Sequence, residues 1–220
     1  MAKQGSVDAL AVFDAGLRTA GLMLLAGVDE AGRGPLAGPV TAAAVILPPQ
    51  WRQEGINDSK VLSKKQRERA FTQIMHNAYS VGLGLAWPER IDQINILQAS
   101  LEAMRYAVCG LNRRPELILF DGPRTPALLP EKFRDVPVRA VVDGDAKSLA
   151  IAAASVIAKC VRDSIMDGYE RLYPGYGFSR NKGYGTAAHL LALQTIGPCQ
   201  IHRRSFRPVK SYSEKSATSN

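Results

Sequence analysis

An apolar run from Met23 to Val28 ends on two adjacent carboxylates, Asp29 and Glu30, and passes straight into Ala31-Gly32-Arg33-Gly34-Pro35-Leu36-Ala37-Gly38-Pro39. The run is short enough to be a buried strand. The stretch Val40 to Leu47 looks like its partner, which makes the glycine-rich segment a hairpin connection. The residue types also carry chemistry. Carboxylates suit hard divalent cations, a guanidinium suits phosphate oxygens, and glycines let a nucleic-acid backbone approach the peptide closely. A dinucleotide site is not expected, because that motif opens a helix inside its glycines, whereas Pro35, Pro39 and Val40 to Leu47 point to another strand. No Gly-Lys-Ser or Gly-Lys-Thr stands at P-loop spacing.

Further along, residues 1–20 carry weak helical signals, and Lys64 to Asn77 reads as a charged helix. Tyr79 to Trp87 alternates around Val81, Leu83 and Leu85 and predicts a third antiparallel strand. A helix is expected from about Arg90 to Cys109, then short strands over Glu116 to Phe120 and Val136 to Val142, then a helix from Ser148 to Asp167. Gly175 to Gly185 is a glycine, tyrosine and basic loop, after which Thr186 caps a helix from Ala187 to Ile196. Strands flanked by helices favour a mixed sheet. Residues 211–220 offer little to bury and are expected to be a flexible tail. The chain is expected to divide into an N-terminal extension (1–22), one main domain (23–210) that includes a helical C-terminal portion, and that tail.

The 220 residues, 46% hydrophobic, suffice for one full core. The net charge of +8 favours a polyanionic partner, and its distribution sharpens the point. From Arg180 to Lys210 the bases Arg180, Lys182, Arg203, Arg204, Arg207 and Lys210 occur with no Asp or Glu. Cys109, Cys160 and Cys199 lack the short spacings of a zinc site and read as buried reduced thiols. The apolar segment Gly21 to Val28 follows Asp8, Asp14 and Arg18, unlike a signal peptide, and no stretch reaches membrane-spanning length; a cytoplasmic location with no membrane partner is the expectation.

Separate segments deliver the acids. Asp29 and Glu30 close the first strand, Asp121 follows Leu117 to Phe120 as Asp-Gly-Pro, and Asp145 follows Ala140 to Val142 inside Asp-Gly-Asp. Singly, Asp121 and Asp145 are ordinary turn residues, and adjacent Asp29 and Glu30 would face opposite ways in a regular strand. Together at a sheet rim, four acids repel one another unless cations neutralise them, which points to Mg2+ or Mn2+.

With Gly27 to Pro39, the phrases Asn57-Asp58-Ser59-Lys60, Asn95-Ile96-Leu97, Phe120-Asp121-Gly122, Ser155-Val156-Ile157-Ala158-Lys159, Arg162-Asp163, Lys182-Gly183-Tyr184 and His202-Arg203-Arg204-Ser205-Phe206 resemble ribonuclease HII in content and order. The resemblance implies an α/β ribonuclease H-like fold, a five-stranded mixed sheet flanked by helices, with a helical C-terminal portion. It implies an endoribonuclease that hydrolyses the RNA strand of RNA-DNA hybrids and nicks duplex DNA 5′ to embedded ribonucleotides by two-metal-ion catalysis, leaving 5′-phosphate and 3′-hydroxyl ends. Asp29, Glu30, Asp121 and Asp145 match the family's catalytic, metal-holding acids. Gly32, Arg33 and Gly34 match the loop that senses the 2′-hydroxyl, and Tyr184 the tyrosine that stacks under the following deoxyribose. Asp143 stands where the family usually has lysine.

Lys60, Lys182, Arg203, Arg204 and Arg207 are the candidates for phosphate contacts. His202 lies beside the arginines, while His76 and His189 read as ordinary helix residues. Ser155 and Lys159 read as structural, and Asp163 as a salt-bridge partner. A monomer is expected, with any contact to a replication clamp left open. Two other classes fit less of the sequence: a nucleic-acid-binding protein with an idle acid cluster, and another metal-dependent nuclease such as an exonuclease.

Overall fold

The computed structural model describes residues 5–51 and 62–217. The Asn57 to Lys60 phrase, and with it the phosphate contact expected of Lys60, lies outside them. Strands β1 (Leu25–Ala31), β2 (Val40–Ile46) and β3 (Ser80–Ala86) follow helix α1 (Gly5–Thr19), with α2 (Lys64–Asn77) between β2 and β3. Helix α3 (Pro88–Cys109) leads to β4 (Leu117–Asp121) and β5 (Val138–Val141), and α4 (Leu149–Leu172) follows. The short α5 (Phe178–Asn181), α6 (Ala187–Ile196) and α7 (Arg207–Ala217) complete the C-terminal portion.

The five strands form one sheet in the order β3-β2-β1-β4-β5. β1 is the middle strand, parallel with β4, and β2, antiparallel to both β1 and β3, is the one reversed strand. The two-residue period of strands sends Ala26, Val28, Ala42 and Ala44 against α3, while Ala43 and Val45 meet α2 and α4. Gly27 explains how near α4 comes. A Cβ there would lie 2.1 Å from the Ala150 carbonyl carbon, so the first turn of α4 rests directly on β1. Ser148 caps that helix, its hydroxyl accepting from the Ile151 N–H, and buried Asp14 of α1 accepts from the Ala150 N–H.

A separate core joins the C-terminal helices to the glycine loop, with Leu36 and Ala37 packed among Met166, Tyr176, Phe178 and Leu193. Three expectations are corrected. β1 begins at Leu25 and continues to Ala31, past the apolar run that ends at Val28, so Asp29 and Glu30 lie inside the strand and do not close it. Residues 211–217 are helical, because α7 has Val209 buried as an anchor. Cys109 is exposed; burial of Cys160 and Cys199 is partial. Helix α3 is also kinked where Asn95 takes φ 66°, its side chain accepting from the Leu97 and Gln98 N–H groups. Among the described residues no helix is long and apolar enough to cross a membrane.

Candidate active site

Register brings the acids together. Val28 stands beside Phe120 across the parallel β1–β4 pair, so Asp29 and Asp121, one residue further on each strand, are neighbours at the same rim. Asp29 is buried, and one carboxylate oxygen accepts the Glu30 N–H at 2.7 Å. The Ser155 hydroxyl of α4 also hydrogen-bonds it. Glu30 meets the Arg33 Nη1 at 3.3 Å through Oε1, while its Oε2 is buried without a hydrogen-bond partner. Asp121 Oδ1 accepts the Gly144 N–H at 2.6 Å. Asp145, in the 3-10 turn Gly144–Ala146, is buried beside Asp121.

Burial pushes the Asp29 carboxyl well above its ordinary value, and the charges of Glu30 and Asp121 push the same way. Burial also raises Glu30, against the pull of Arg33, and raises Asp121, with the charge of Asp145 adding to the effect. A cleft of about 340 Å³ is lined by Asp29, Glu30, Arg33, Asp121, Ser155 and Tyr184, among others. A second hollow of about 260 Å³ shares Glu30, Arg33 and Asp121 and runs along α3 past Leu97 and Ser100. Asp145 lines neither hollow.

Among the described residues no group of three His, Cys, Asp or Glu side chains forms a ready-made metal shell. The carboxylates' chemistry still fits a hard cation. Mutually repelling oxygens, one of them buried and orphaned, are what a divalent ion would satisfy.

The loop between β1 and β2 is held by two buried arginines. Arg203 donates to the carbonyls of Gly32 at 2.5 Å, Arg33 at 2.9 Å and Gly38 at 3.0 Å. Arg162 donates to the carbonyls of Pro39 and Ala37. Gly32 takes φ 97°, and a Cβ on it would fall 2.0 Å from Arg162 Nε, so only glycine fits against this brace. The loop is stitched further by Leu36 N–H to the Gly183 carbonyl and Gly38 N–H to that of Ile201.

This corrects the reading of Arg203. Its guanidinium is fully buried and committed to backbone carbonyls, so it builds the loop and does not meet a phosphate. His202 is likewise buried, and so is His189. Lys182 is ion-paired with Asp167, whereas Arg204, Arg207 and Arg33 reach the surface. Tyr184 is 46% exposed, with its ring edge 3.5 Å from where a Gly34 Cβ would be. Asp163 pairs with Lys159 at 2.5 Å and with Arg67, as expected. Asp143 is an exposed turn residue in the left-handed conformation that Asp tolerates. Sequence reasoning missed the two bracing arginines and the Ser155 bond to Asp29. Arg162 carried one available signal, a charge within the apolar face of a helix.

A mixed five-stranded sheet whose adjacent strands β1 and β4 deliver carboxylates to one cleft defines a nuclease of the ribonuclease H-like class. Relatives agree with the geometry. Residues 26–209 match the family Ribonuclease HII. The chain is 52% identical over 196 residues to the ribonuclease HII of Maricaulis maris, covering 89% of this chain and 87% of that one. It is 49% identical to that of Syntrophotalea carbinolica, covering 91% and 93%. The crystal structure of the ribonuclease H2 from Pyrococcus horikoshii OT3 superposes with a TM-score of 0.70 at 27% identity, covering 88% of this chain and 98% of that one. The chain belongs to the ribonuclease HII family, and it is a ribonuclease.

Proposed function

We propose that this chain cleaves the RNA strand of RNA-DNA hybrids and nicks duplex DNA on the 5′ side of an embedded ribonucleotide. The observation that carries the reading is the convergence of Asp29, Glu30 and Asp121 on one cleft beside a rigid glycine loop. Asp29, Glu30 and Asp121 would hold the divalent ions, Mg2+ or Mn2+, and Asp145, buried beside Asp121, would complete the second site or position the attacking water. Such ions, when bound, supply positive charge to the scissile phosphate and acidify water.

The protein's own groups do the rest. Arg33, half exposed, balances Glu30 and offers its remaining donors to a phosphate. The backbone of Gly32, Arg33 and Gly34 reaches the ribose closely enough to read its 2′-hydroxyl, the feature that separates RNA from DNA. Tyr184 presents its ring to the sugar that follows. Water forms the new P–O bond as the P–O3′ bond breaks, and the 3′-oxygen takes up a proton. The products are 5′-phosphate and 3′-hydroxyl ends.

The deciding experiment is cleavage of a closed DNA duplex holding one ribonucleotide, with Mg2+, Mn2+ or chelator. A metal-dependent nick 5′ to the ribonucleotide, absent from all-DNA duplex and from Asp29→Asn, is expected. Full activity in Asp29→Asn would overturn the assignment of the acids, and a requirement for free ends would make the chain an exonuclease.

A further inference from the structure

His189 and His202 are buried, yet they stand on different elements and touch through their ring nitrogens, Nε2 to Nε2, at 3.0 Å. Two identical atoms at that distance need one donor and one acceptor, and the surrounding contacts decide which is which. His189 Nδ1 lies 2.9 Å from the Tyr184 carbonyl, which can only accept, so the proton of this ring is on Nδ1. In a neutral ring Nε2 is then the acceptor, and His202 donates to it. That leaves His202 Nδ1 as an acceptor, and it receives the Cys199 N–H at 3.0 Å, with the Cys199 thiol at 3.1 Å. The Cys199 carbonyl, 3.3 Å from the same nitrogen, is a neighbour without a hydrogen to share. Every ring nitrogen is satisfied by a single assignment of protons.

Both rings must be neutral for this to hold. A proton added to His189 Nε2 would face the His202 N–H, and one added to His202 Nδ1 would face the Cys199 N–H. Tyr176, Phe178 and the Arg204 charge also face the pair, and the two carboxylates that share a hollow with His202, Glu89 and Asp92, form no hydrogen bond or ion pair with either ring among the described residues, Asp92 instead accepting the Arg204 and Ser205 N–H groups. Burial accordingly lowers both histidines, His202 to about 4 with the charge of His189 as the second cause.

The chain of contacts has a direction. It runs from Cys199 through His202 and His189 to the carbonyl of Tyr184, which also accepts the Thr186 N–H at 2.8 Å. His202 is bridged to Ala37 of the glycine loop, and Arg203 beside it braces that loop. We propose that the neutral His189–His202 pair is a positioning relay that ties the backbone of Tyr184 to the glycine loop, so that the tyrosine ring and the loop meet one nucleotide step in fixed register. Neither histidine touches substrate. The inference rests on the reading of Tyr184 as a substrate contact.

The test compares cleavage of a duplex with one ribonucleotide against cleavage of a long hybrid, reading kcat and KM separately. Tyr184→Ala comes first: a lost preference for the single ribonucleotide supports the contact, and an unchanged one overturns that reading and the relay with it. Given the loss, His189→Ala is expected to lower the same preference by about three- to tenfold, the net worth of one hydrogen bond. His189→Asn, which keeps a donor where Nδ1 stood, should restore it to within about twofold. An unchanged preference in His189→Ala, or equal loss on both substrates with no rescue, would overturn the relay. Nitrogen NMR of the native protein decides the matter independently of any variant's folding. His189 is expected as the Nδ1–H tautomer and His202 as Nε2–H; the reverse assignment, or titration of either ring above pH 6, would sink the proposal.

Discussion

Asp121 shows how a group useful for chemistry works against folding. Its carboxyl is raised by burial and by the charge of Asp145, so the folded protein holds its proton more tightly than the unfolded chain does. The stability tied to that proton is fully present below the ordinary carboxylate pKa of about 4 and is lost as pH rises through the raised folded value. At pH 7.5 in chelator the charge is therefore a liability. Asp121→Asn is expected to abolish cleavage and, since solvent screens a carboxyl that is only partly buried, to raise the metal-free melting temperature by no more than about 2 °C. Calorimetry of the two proteins in chelator checks it; a lower melting temperature in the variant would mean that the carboxylate's charge-assisted bond from the Gly144 N–H, weakened but not removed in Asn, outweighs the repulsion. His189 and His202 carry the opposite sign. Their folded values lie below the ordinary histidine value of about 6.5, so their contribution is present above that pH and is lost as pH falls toward 4, where His202 titrates.

The loop joining β1 to β2 depends on elements distant in sequence. Arg203 by itself supplies donors to three of its carbonyls. Arg203→Met keeps the bulk and removes the donors. A loss of about 3 kcal/mol in unfolding free energy is expected, since each stranded buried carbonyl costs about 1 kcal/mol or more. Urea unfolding measures that loss, and kcat/KM should fall more than tenfold with it, because the loop no longer presents its backbone at a fixed height. Gly32→Ala attacks the same loop from the other side. Its Cβ would displace Arg162 and its φ of 97° is costly for alanine, so the variant is expected to be both less stable and poorly active. Wild-type unfolding and activity in either variant would show the brace to be dispensable.

Charge is spread unevenly over the molecule, and if the exposed bases of the C-terminal portion meet phosphates, as proposed, binding to nucleic acid is expected to weaken with salt. Arg204 is exposed, and Arg204→Ala is expected to reduce the slope of log affinity against log salt by about 1, as loss of one phosphate contact does. Arg203→Met should weaken binding without that change of slope, because its charge never faces the partner. Filter binding across a salt series separates the two. The difference between these neighbours also marks where reading the chain alone ends. Periodicity and punctuation locate α2, β2, β3 and α6 almost to the residue, because local apolar patterns and caps such as Ser63 and Thr186 act within a few positions. The acids Asp29, Glu30 and Asp121 are legible for the same reason: each sits where an apolar run ends. Whether they meet is decided elsewhere, by the parallel register of β1 with β4, which joins segments some ninety residues apart. Only packing separates buried Arg203 from exposed Arg204, pairs His189 with His202, and seats Ser155 on Asp29. Sequence by itself determined which residue types stand at strand ends and in turns, since those depend on neighbours along the chain; the tertiary structure alone decided which of them are buried, braced or aimed at the cleft, since burial and hydrogen-bond partners depend on neighbours in space.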